Sequence, residues 1–407
     1  MNTSFFIAAR YFRSKKKKNF ITILSIITMV GVAVGAMALV IVLSVFNGLE
    51  DLVRGLYASF DADLKIEASQ GKSFRMDEST LRSIEEVEGV YLVTEVIEDN
   101  ALFNYRSYQH LARIKGVSDN YLAQPRFEQG YVWGKLDLGT QERPQAIIGR
   151  GVGFFLSIDL KNEFDLLQAY YPKAPRNAAT IDPRQLYNQG TLIPSAFFSV
   201  EKEFDDNYII APLSFVSRLL NYGDKRTAIE VSVQEGYSIR KVKAALKQLL
   251  GEEFTVKDTD EQHAGLLRTI KIEKLFVFIT LTFILAVASF NIFFSLSMMA
   301  IEKKKDIAIL YAMGAKASTV KNIFIKQGSI IAFSGAAIGL VLGFVIVWLQ
   351  DTVGLVSMGI DSSIIENYPV KIVWTDFLWT SVSVILITLL ASYRPALLAS
   401  KVKSTDL

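Results

Sequence analysis

The chain has no cysteine in its 407 residues and only two histidines, His110 and His263. Without cysteine there are no disulfides, no thiolate nucleophiles and no cysteine metal sites, and the chain itself cannot be lipidated on cysteine. With two histidines far apart in sequence and no HExxH spacing, a zinc site would have to lean on carboxylates. His110 sits in a polar strand-like stretch, Tyr105 to His110, where a solvated side chain is the expected reading. No GxxxxGK[ST] phosphate loop occurs, so ATP is not bound in the P-loop manner, and no GxSxG elbow appears. No catalytic constellation, cofactor site or metal site is expected, and nothing points to nucleic acid. Net charge is also close to balanced, with 44 Lys and Arg against 41 Asp and Glu, so its distribution carries the information.

What the chain does have is hydrophobic length. A charge-free run of 27 residues from Phe20 to Phe46 follows Arg10, Arg13 and Lys15–Lys18. That exceeds the roughly 20 residues an α-helix needs to cross about 30 Å of hydrocarbon. Leu275–Ile301, Gln327–Gln350 and, more weakly, Ile372–Tyr393 with its Asp376 follow after some 220 residues of mixed polarity. Ala36-Met37-Ala38 resembles a signal-peptide cleavage site, but the run continues to Phe46, beyond the about 7–15 residues of a signal h-region, so a retained helix is expected. The expected spans are 20–47, 272–301, 318–350 and 372–398. Basic residues cluster before the first run, after the second (Lys303–Lys305, Lys316, Lys321) and after the fourth (Arg394, Lys401, Lys403). The loop at 351–371 carries Asp351, Asp361 and Glu366 against Lys371. The positive-inside rule then places both termini (1–19 and 399–407) and the 302–317 loop in the cytoplasm, with 48–271 and 351–371 outside.

Inside the runs, Gly31 and Gly35 form one GxxxG pair, and Gly335, Gly339 and Gly343 repeat the spacing twice. Small residues at this interval let helix backbones approach closely in lipid. Packing within one chain and a dimer seam are both compatible with it. Asn291 and Asp376 are the only strongly polar candidates in the runs, and no buried charge pair is expected. The outside segment alternates in period: Asp63–Ala68 and Ala228–Val233 read as strands, Ser79–Val87 and Ile239–Leu250 as helices ending at Gly89 and Gly251. Gln145–Tyr222 reads as β-rich. An α+β domain of two lobes is expected, one from 60–118 and 228–260, the other inserted at about 120–222.

The loop Glu302 to Ser318 reads as a short amphipathic helix. Glu302 and Asp306 supply early negative charge, Ile307, Leu310 and Tyr311 share a face, Gly314 stops the helix and Ser318 can cap the next. Its apolar face could rest on lipid headgroups or meet a partner protein.

Helix, large outside domain and three further helices resemble the FtsX/MacB-type permease layout. Asp306-Ile-Ala-Ile-Leu-Tyr-Ala-Met-Gly-Ala315 resembles that family's coupling helix, except that Tyr311 replaces a usual arginine. Within the family the chain is most similar to LolC/LolE-type lipoprotein-releasing ABC transporter permeases. Ala9–Arg13, Ile41–Gly48, Ile270–Lys274, Ala288–Ile292 and Ala391–Ala396 carry the likeness. It implies a four-helix membrane protein whose α+β extracytoplasmic domain, of MacB periplasmic-core type, is inserted between helices 1 and 2. It also implies a bacterial inner-membrane transport subunit, not an enzyme, working with a second permease protomer and a cytoplasmic ATPase dimer. That partner would dock at Glu302, Asp306, Ile307, Leu310, Tyr311 and Gly314. Lipoprotein cargo would enter a cavity near Met37, Val40, Ile41, Phe276 and Ile279. A periplasmic chaperone would be met by a hook at Tyr170–Leu186, with Pro172, Lys173, Pro175, Arg176, Ile181 and Pro183. Alternatives are an FtsX-like mechanotransmitter that regulates a cell-wall hydrolase and a MacB-type efflux permease.

Overall fold

A computed structural model describes residues 3–13, 20–124, 131–162, 164–173, 186–200, 202–358 and 367–401. The chain opens with α1 (Thr3–Arg13) and α2 (Phe20–Phe60), then β1 (Leu64–Ala68), β2 (Phe74–Arg75), α3 (Glu78–Glu85), β3 (Val90–Tyr105) and β4 (Tyr108–Val117). There follow β5 (Tyr131–Gly134), β6 (Gln145–Gly149), α4 (Arg150–Leu156), β7 (Leu167–Pro172), β8 (Tyr187–Ser199), α5 (Lys202–Asn207), β9 (Tyr208–Pro212) and α6 (Leu213–Leu220). The remainder is β10 (Lys225–Arg226), β11 (Ala228–Val233), α7 (Ile239–Leu250), β12 (Phe254–Asp258), α8 (Thr259–Gln262), α9 (Ala264–Glu302), α10 (Lys304–Ala312), α11 (Ala317–Val353) and α12 (Trp374–Ser400). These divide into two compact units, Val53–Ala264 and the combination of Met1–Leu52 with Gly265–Leu407.

The first unit is built on a ten-stranded mixed sheet in the order β12-β1-β11-β3-β4-β9-β6-β8-β5, with β7 paired to β3 and β8. The strands expected in two lobes lie in this one sheet, joined where β4 pairs in parallel with β9 and where β7 pairs with β3. Period-two burial explains the pairing. Leu64 and Ile66 of β1 are buried against Ile229 and Val231 of β11, over which Val242 and Leu246 of α7 pack. A second cluster under α4 and α6 joins Phe103, Ile148 and Phe215.

A third cluster contains a buried charge. Lys115 Nζ lies 2.6 Å from Glu230 and 3.6 Å from Glu98, with the Phe60 and Tyr121 ring centroids at 5.0 and 5.2 Å. Lys115 and Glu230 are almost fully buried, so each needs the other. Burial works to lower the neighbouring Lys65 ammonium, yet Glu98, Glu67 and Glu230 outweigh it and raise its pKa.

The second unit holds four helices long and apolar enough to cross a membrane, α2, α9, α11 and α12. The glycine repeats are used within the chain. A Cβ on Gly335 would stand 2.5 Å from the Met29 carbonyl oxygen, one on Gly339 would collide with the Ala33 backbone, and one on Gly343 would crowd Val40 at 3.1 Å. On the opposite side of α2, a Cβ on Gly35 would stand 2.7 Å from the Leu285 side chain of α9, while one on Gly31 would meet only Ala288 at 3.9 Å. A buried Ser25 to Ser295 hydroxyl contact of 3.0 Å adds a polar tie between α2 and α9.

Gly339→Ala is expected to destabilise the full-length protein by about 1–3 kcal/mol, the usual cost of overpacking, whereas Gly31→Ala is expected to be neutral. Thermal unfolding in detergent measures both. Equal melting temperatures for the two variants would mean that these glycines do not set the helix spacing.

Candidate functional site

Within 302–315, Glu302 closes α9 and Lys304–Ala312 forms α10, which gives way to Gly314 with φ of 85°, as its position in the sequence suggests. Lys316, not Ser318, occupies the cap position of α11, and no side chain caps it. The face carrying Ile307 and Tyr311 turns inward. Ile307 is 1% exposed within the helical core, and the Tyr311 hydroxyl donates to the Ser400 carbonyl at the end of α12 over 2.7 Å. That corrects the expectation that these two residues form an outward docking face. The chain's own bundle takes up that side of the amphipathic stripe. The outward apolar residues are Ile309, 59% exposed, and Met313, 80% exposed, with Glu302 also exposed. Leu310 is half-buried, and with Phe6, Ile7 and Arg10 of α1, Asp306 and Ile309 it lines a cavity of about 320 Å³.

At the other ends of the helices stands a polar cluster that the sequence reading excluded. Lys274 Nζ on α9 donates to Asn47 Oδ1 on α2 at 2.6 Å and to Asp376 Oδ2 on α12 at 3.0 Å. Asn47 Nδ2 in turn donates to Asp376 Oδ2 at 2.7 Å and to the Lys371 carbonyl at 3.4 Å. Lys371 N donates to the Ser44 carbonyl, and Lys371 Nζ pairs with Asp51. Gly48 permits this, because a Cβ there would collide with the 369–370 backbone. Three helices are thus joined by one ion pair and one amide, with every contact satisfied through the partners just named. Charged groups at such positions are costly and tend to mark function. The only local signal was Asp376 itself. Its partners lie 329 and 102 residues away in sequence.

The expected cavity residues part company. Val40 is buried beneath Gly343 against α11 and not open to a cargo, a second correction with a steric cause. Met37 and Ile41 are half-buried, whereas Phe276 and Ile279 are 70% and 57% exposed on α9. Only 17% of the most apolar stretch of α9 is buried, against 33–39% in the other three helices.

The expected hook begins where the structure shows a hairpin arm. β7 and β8 pair from Leu167↔Leu192 to Pro172↔Tyr187, and Lys173 N donates to the Leu186 carbonyl at 2.7 Å. Pro172 and Lys173 lie at the arm's end, while Pro175, Arg176, Ile181 and Pro183 lie outside the described residues. His110 is half-buried, stacked on Phe155 and in contact with the Asp206 carbonyl at 3.2 Å, so it is less solvated than expected. His263 stacks on Tyr57 and pairs with Asp61. Among the described residues no cluster of metal-ligating side chains occurs.

The chain matches two family models, the MacB-like periplasmic core domain over residues 25–154 and the FtsX-like permease C-terminal domain over 278–403. The lipoprotein-releasing system transmembrane protein LolE of Haemophilus influenzae is 23% identical, the match covering 99% of this chain and 98% of that protein. The transmembrane protein LolC of the same system in Neisseria meningitidis is 26% identical over 84% of this chain and 81% of that one. The periplasmic region of MacB from Actinobacillus actinomycetemcomitans aligns with a TM-score of 0.35 at 12% identity, over 51% of this chain and 92% of that one. These two relatives are lipoprotein-releasing system transmembrane proteins, and the chain is similar to a MacB-like periplasmic core domain in its first part and to an FtsX-like permease domain in its last.

Breaking the Lys274–Asp376 pair by Lys274→Met is expected to cost about 3–5 kcal/mol, because it leaves a buried carboxylate unpaired. The double variant Lys274→Met/Asp376→Leu is expected to be less destabilised than either single change. A double-mutant cycle read by thermal unfolding checks this, and simple additivity of the two changes would count against coupling between them.

Proposed function

We propose that this chain is the permease subunit of an ABC transporter that releases lipoproteins from the bacterial inner membrane. The reading is supported chiefly by the near-complete span of its likeness to LolE. The domain between its first and second apolar helices, far larger than a short loop, favours this reading over a mechanotransmitter. Because the chain lacks a phosphate loop, ATP hydrolysis falls to a separate cytoplasmic subunit. That subunit docks on α10 through Ile309, Leu310 and Met313, with Glu302, Asp306 and the backbone bend at Gly314 shaping the rim. Ile307 and Tyr311 back the helix from inside and carry movement to the end of α12. A second protomer, identical or a related permease, packs against the lightly buried face of α9. Phe276 and Ile279, with Met37 and Ile41, border an acyl-binding space at that seam. The arm ending at Pro172 and Lys173, and the segment beyond it with Pro175, Arg176, Ile181 and Pro183, recruit a periplasmic chaperone that accepts the lipoprotein. The apolar character of the helices fits a lipid-linked cargo.

The orientation that goes with this reading has both termini and α10 in the cytoplasm. The native chain is free of cysteine, so single cysteines introduced by Thr191→Cys and Ser318→Cys report it cleanly. An impermeant thiol reagent applied to spheroplasts is expected to label the first and not the second. Labelling of the second alone would reverse the topology.

Ile309→Asp or Met313→Asp is expected to abolish co-purification with the ATPase while the permease still inserts. An unpaired charge in an apolar contact costs about 2 kcal/mol or more, which corresponds to at least roughly thirtyfold in affinity. ATPase binding that survives both changes would leave α10 as a helix resting on the membrane surface.

A further inference from the structure

The β7–β8 arm leaves the sheet on its β3 side through one side-chain bond. β7 pairs with β3 at only three positions, Leu102↔Tyr170, Phe103↔Ala169 and Asn104↔Gln168. Its pairing with β8 runs further, through Tyr171↔Asn188 to Pro172↔Tyr187. Past Tyr170 the arm is therefore a two-stranded ribbon without a ladder to β3, and such ribbons are marginal by themselves. At that point the Tyr171 hydroxyl donates to Asp99 Oδ2 on β3 at 2.8 Å. On the other strand, Asn188 Nδ2 donates to the Leu219 carbonyl at 2.7 Å, and the Tyr171 ring also packs against the cluster under α4 and α6, so the hydroxyl supplies the directional part of its anchoring.

Asp99 is fixed independently of the arm. Lys72 Nζ donates to its two carboxylate oxygens at 2.7 and 2.8 Å, and Asn100 N donates to Oδ1 at 2.8 Å. The Tyr222 hydroxyl reaches it at 3.5 Å. Burial raises the Asp99 pKa, but the bonds from Lys72, Tyr171 and Asn100 outweigh it and leave the carboxyl below its ordinary value. Burial, and then the bond to Asp99, push the Tyr171 phenol well above its own. At neutral pH the pair is thus phenol and carboxylate, a charge-assisted bond with a fixed acceptor.

We infer that Asp99 is a positioning residue that fixes, through Tyr171, the direction in which the β7–β8 arm leaves the sheet. The end of the arm is thereby held where a partner protein meets it. The functional half of this inference rests on the recruitment reading above, whereas the direction of the arm does not.

The test uses the full-length protein carrying spin labels at Lys173→Cys and Lys247→Cys, on the arm and on α7. A narrow distance distribution is expected in the parent. Tyr171→Phe and Asp99→Ala are expected to lose it, and Asp99→Asn, which keeps an acceptor, to retain part of it. An unchanged melting temperature in Tyr171→Phe would separate loss of position from loss of fold. Capture of the organism's periplasmic lipoprotein chaperone should weaken about tenfold or more in Tyr171→Phe, the scale of one lost hydrogen bond to a charged group. A distribution that stays narrow in Tyr171→Phe and Asp99→Ala overturns the inference. Unchanged capture alongside a broadened distribution overturns its functional half. Capture that survives replacement of 174–185 by a Gly-Ser turn sinks the recruitment reading instead, and the distances still decide the role of Asp99. The charge on Asp99 adds one further check. Because its pKa lies below the ordinary carboxylate value, the charge-assisted bond is held through the ordinary carboxylate range and weakens as pH falls through the folded value, where the neutral acceptor should broaden the distribution as far as Asp99→Asn does.

Discussion

In hydrocarbon, apolar helices gain nothing by touching one another, because lipid tails are as apolar as leucine. A bundle of four such helices must therefore be held by close packing and by a few polar contacts. The helical unit uses both. Gly335, Gly339 and Gly343 bring the backbone of α11 against Met29, Ala33 and Met37 of α2. Ser25 with Ser295, Lys274 with Asn47 and Asp376, and Tyr311 with the end of α12 supply the polar ties. The ties sit where they cost least: the hydroxyl pair carries no charge, the ion pair lies at the edge of the apolar runs, and the tyrosine lies near the end of α10.

Much of this was legible in the sequence because it is local. Four long apolar runs, a glycine stop after α10, and the strands Leu64–Ala68 and Ala228–Val233 follow from period and composition alone. Two kinds of feature were not. One is the facing of an amphipathic helix. The stripe containing Ile307, Leu310 and Tyr311 says that something apolar covers it, and cannot say whether that is a partner or the chain's own bundle. Here the bundle covers Ile307, and Ile309 with Met313 faces out. The other is any contact between residues far apart in sequence. Asp376 alone stands out in its local window, Asn47 and Lys274 do not, and only folding brings the amide, ammonium and carboxylate together. The pairing of β4 with β9 is of the same kind: it joins residues far apart in sequence and has no local signature.

The sheet unit shows a different balance. There water is available outside, so a buried ion such as Lys115 must be matched within the core by Glu230 and Glu98. Such a pair adds little net stability compared with apolar residues of similar size, but removing one partner is expensive. Both units therefore contain one position where a lysine is held by carboxylate under cover. In each case the lysine and its carboxylates come from different strands or helices, which penalises alternative arrangements of those elements.

The order of strands in the sheet also bears on how the protein is made. β1 ends at Ala68, and both of its neighbours, β11 and β12, begin only at Ala228 and Phe254. A ribosome adding about 5–20 residues per second needs roughly 10–30 s to supply the first of them. Throughout that interval Leu64 and Ile66 emerge on a strand with two open edges, and open apolar edges are what misassociation uses. Biogenesis, more than equilibrium stability, is then the stage at which this chain is most exposed to failure. A holding factor that shields residues 64–68 until β11 arrives would raise the yield of folded protein without adding a single contact to the finished structure.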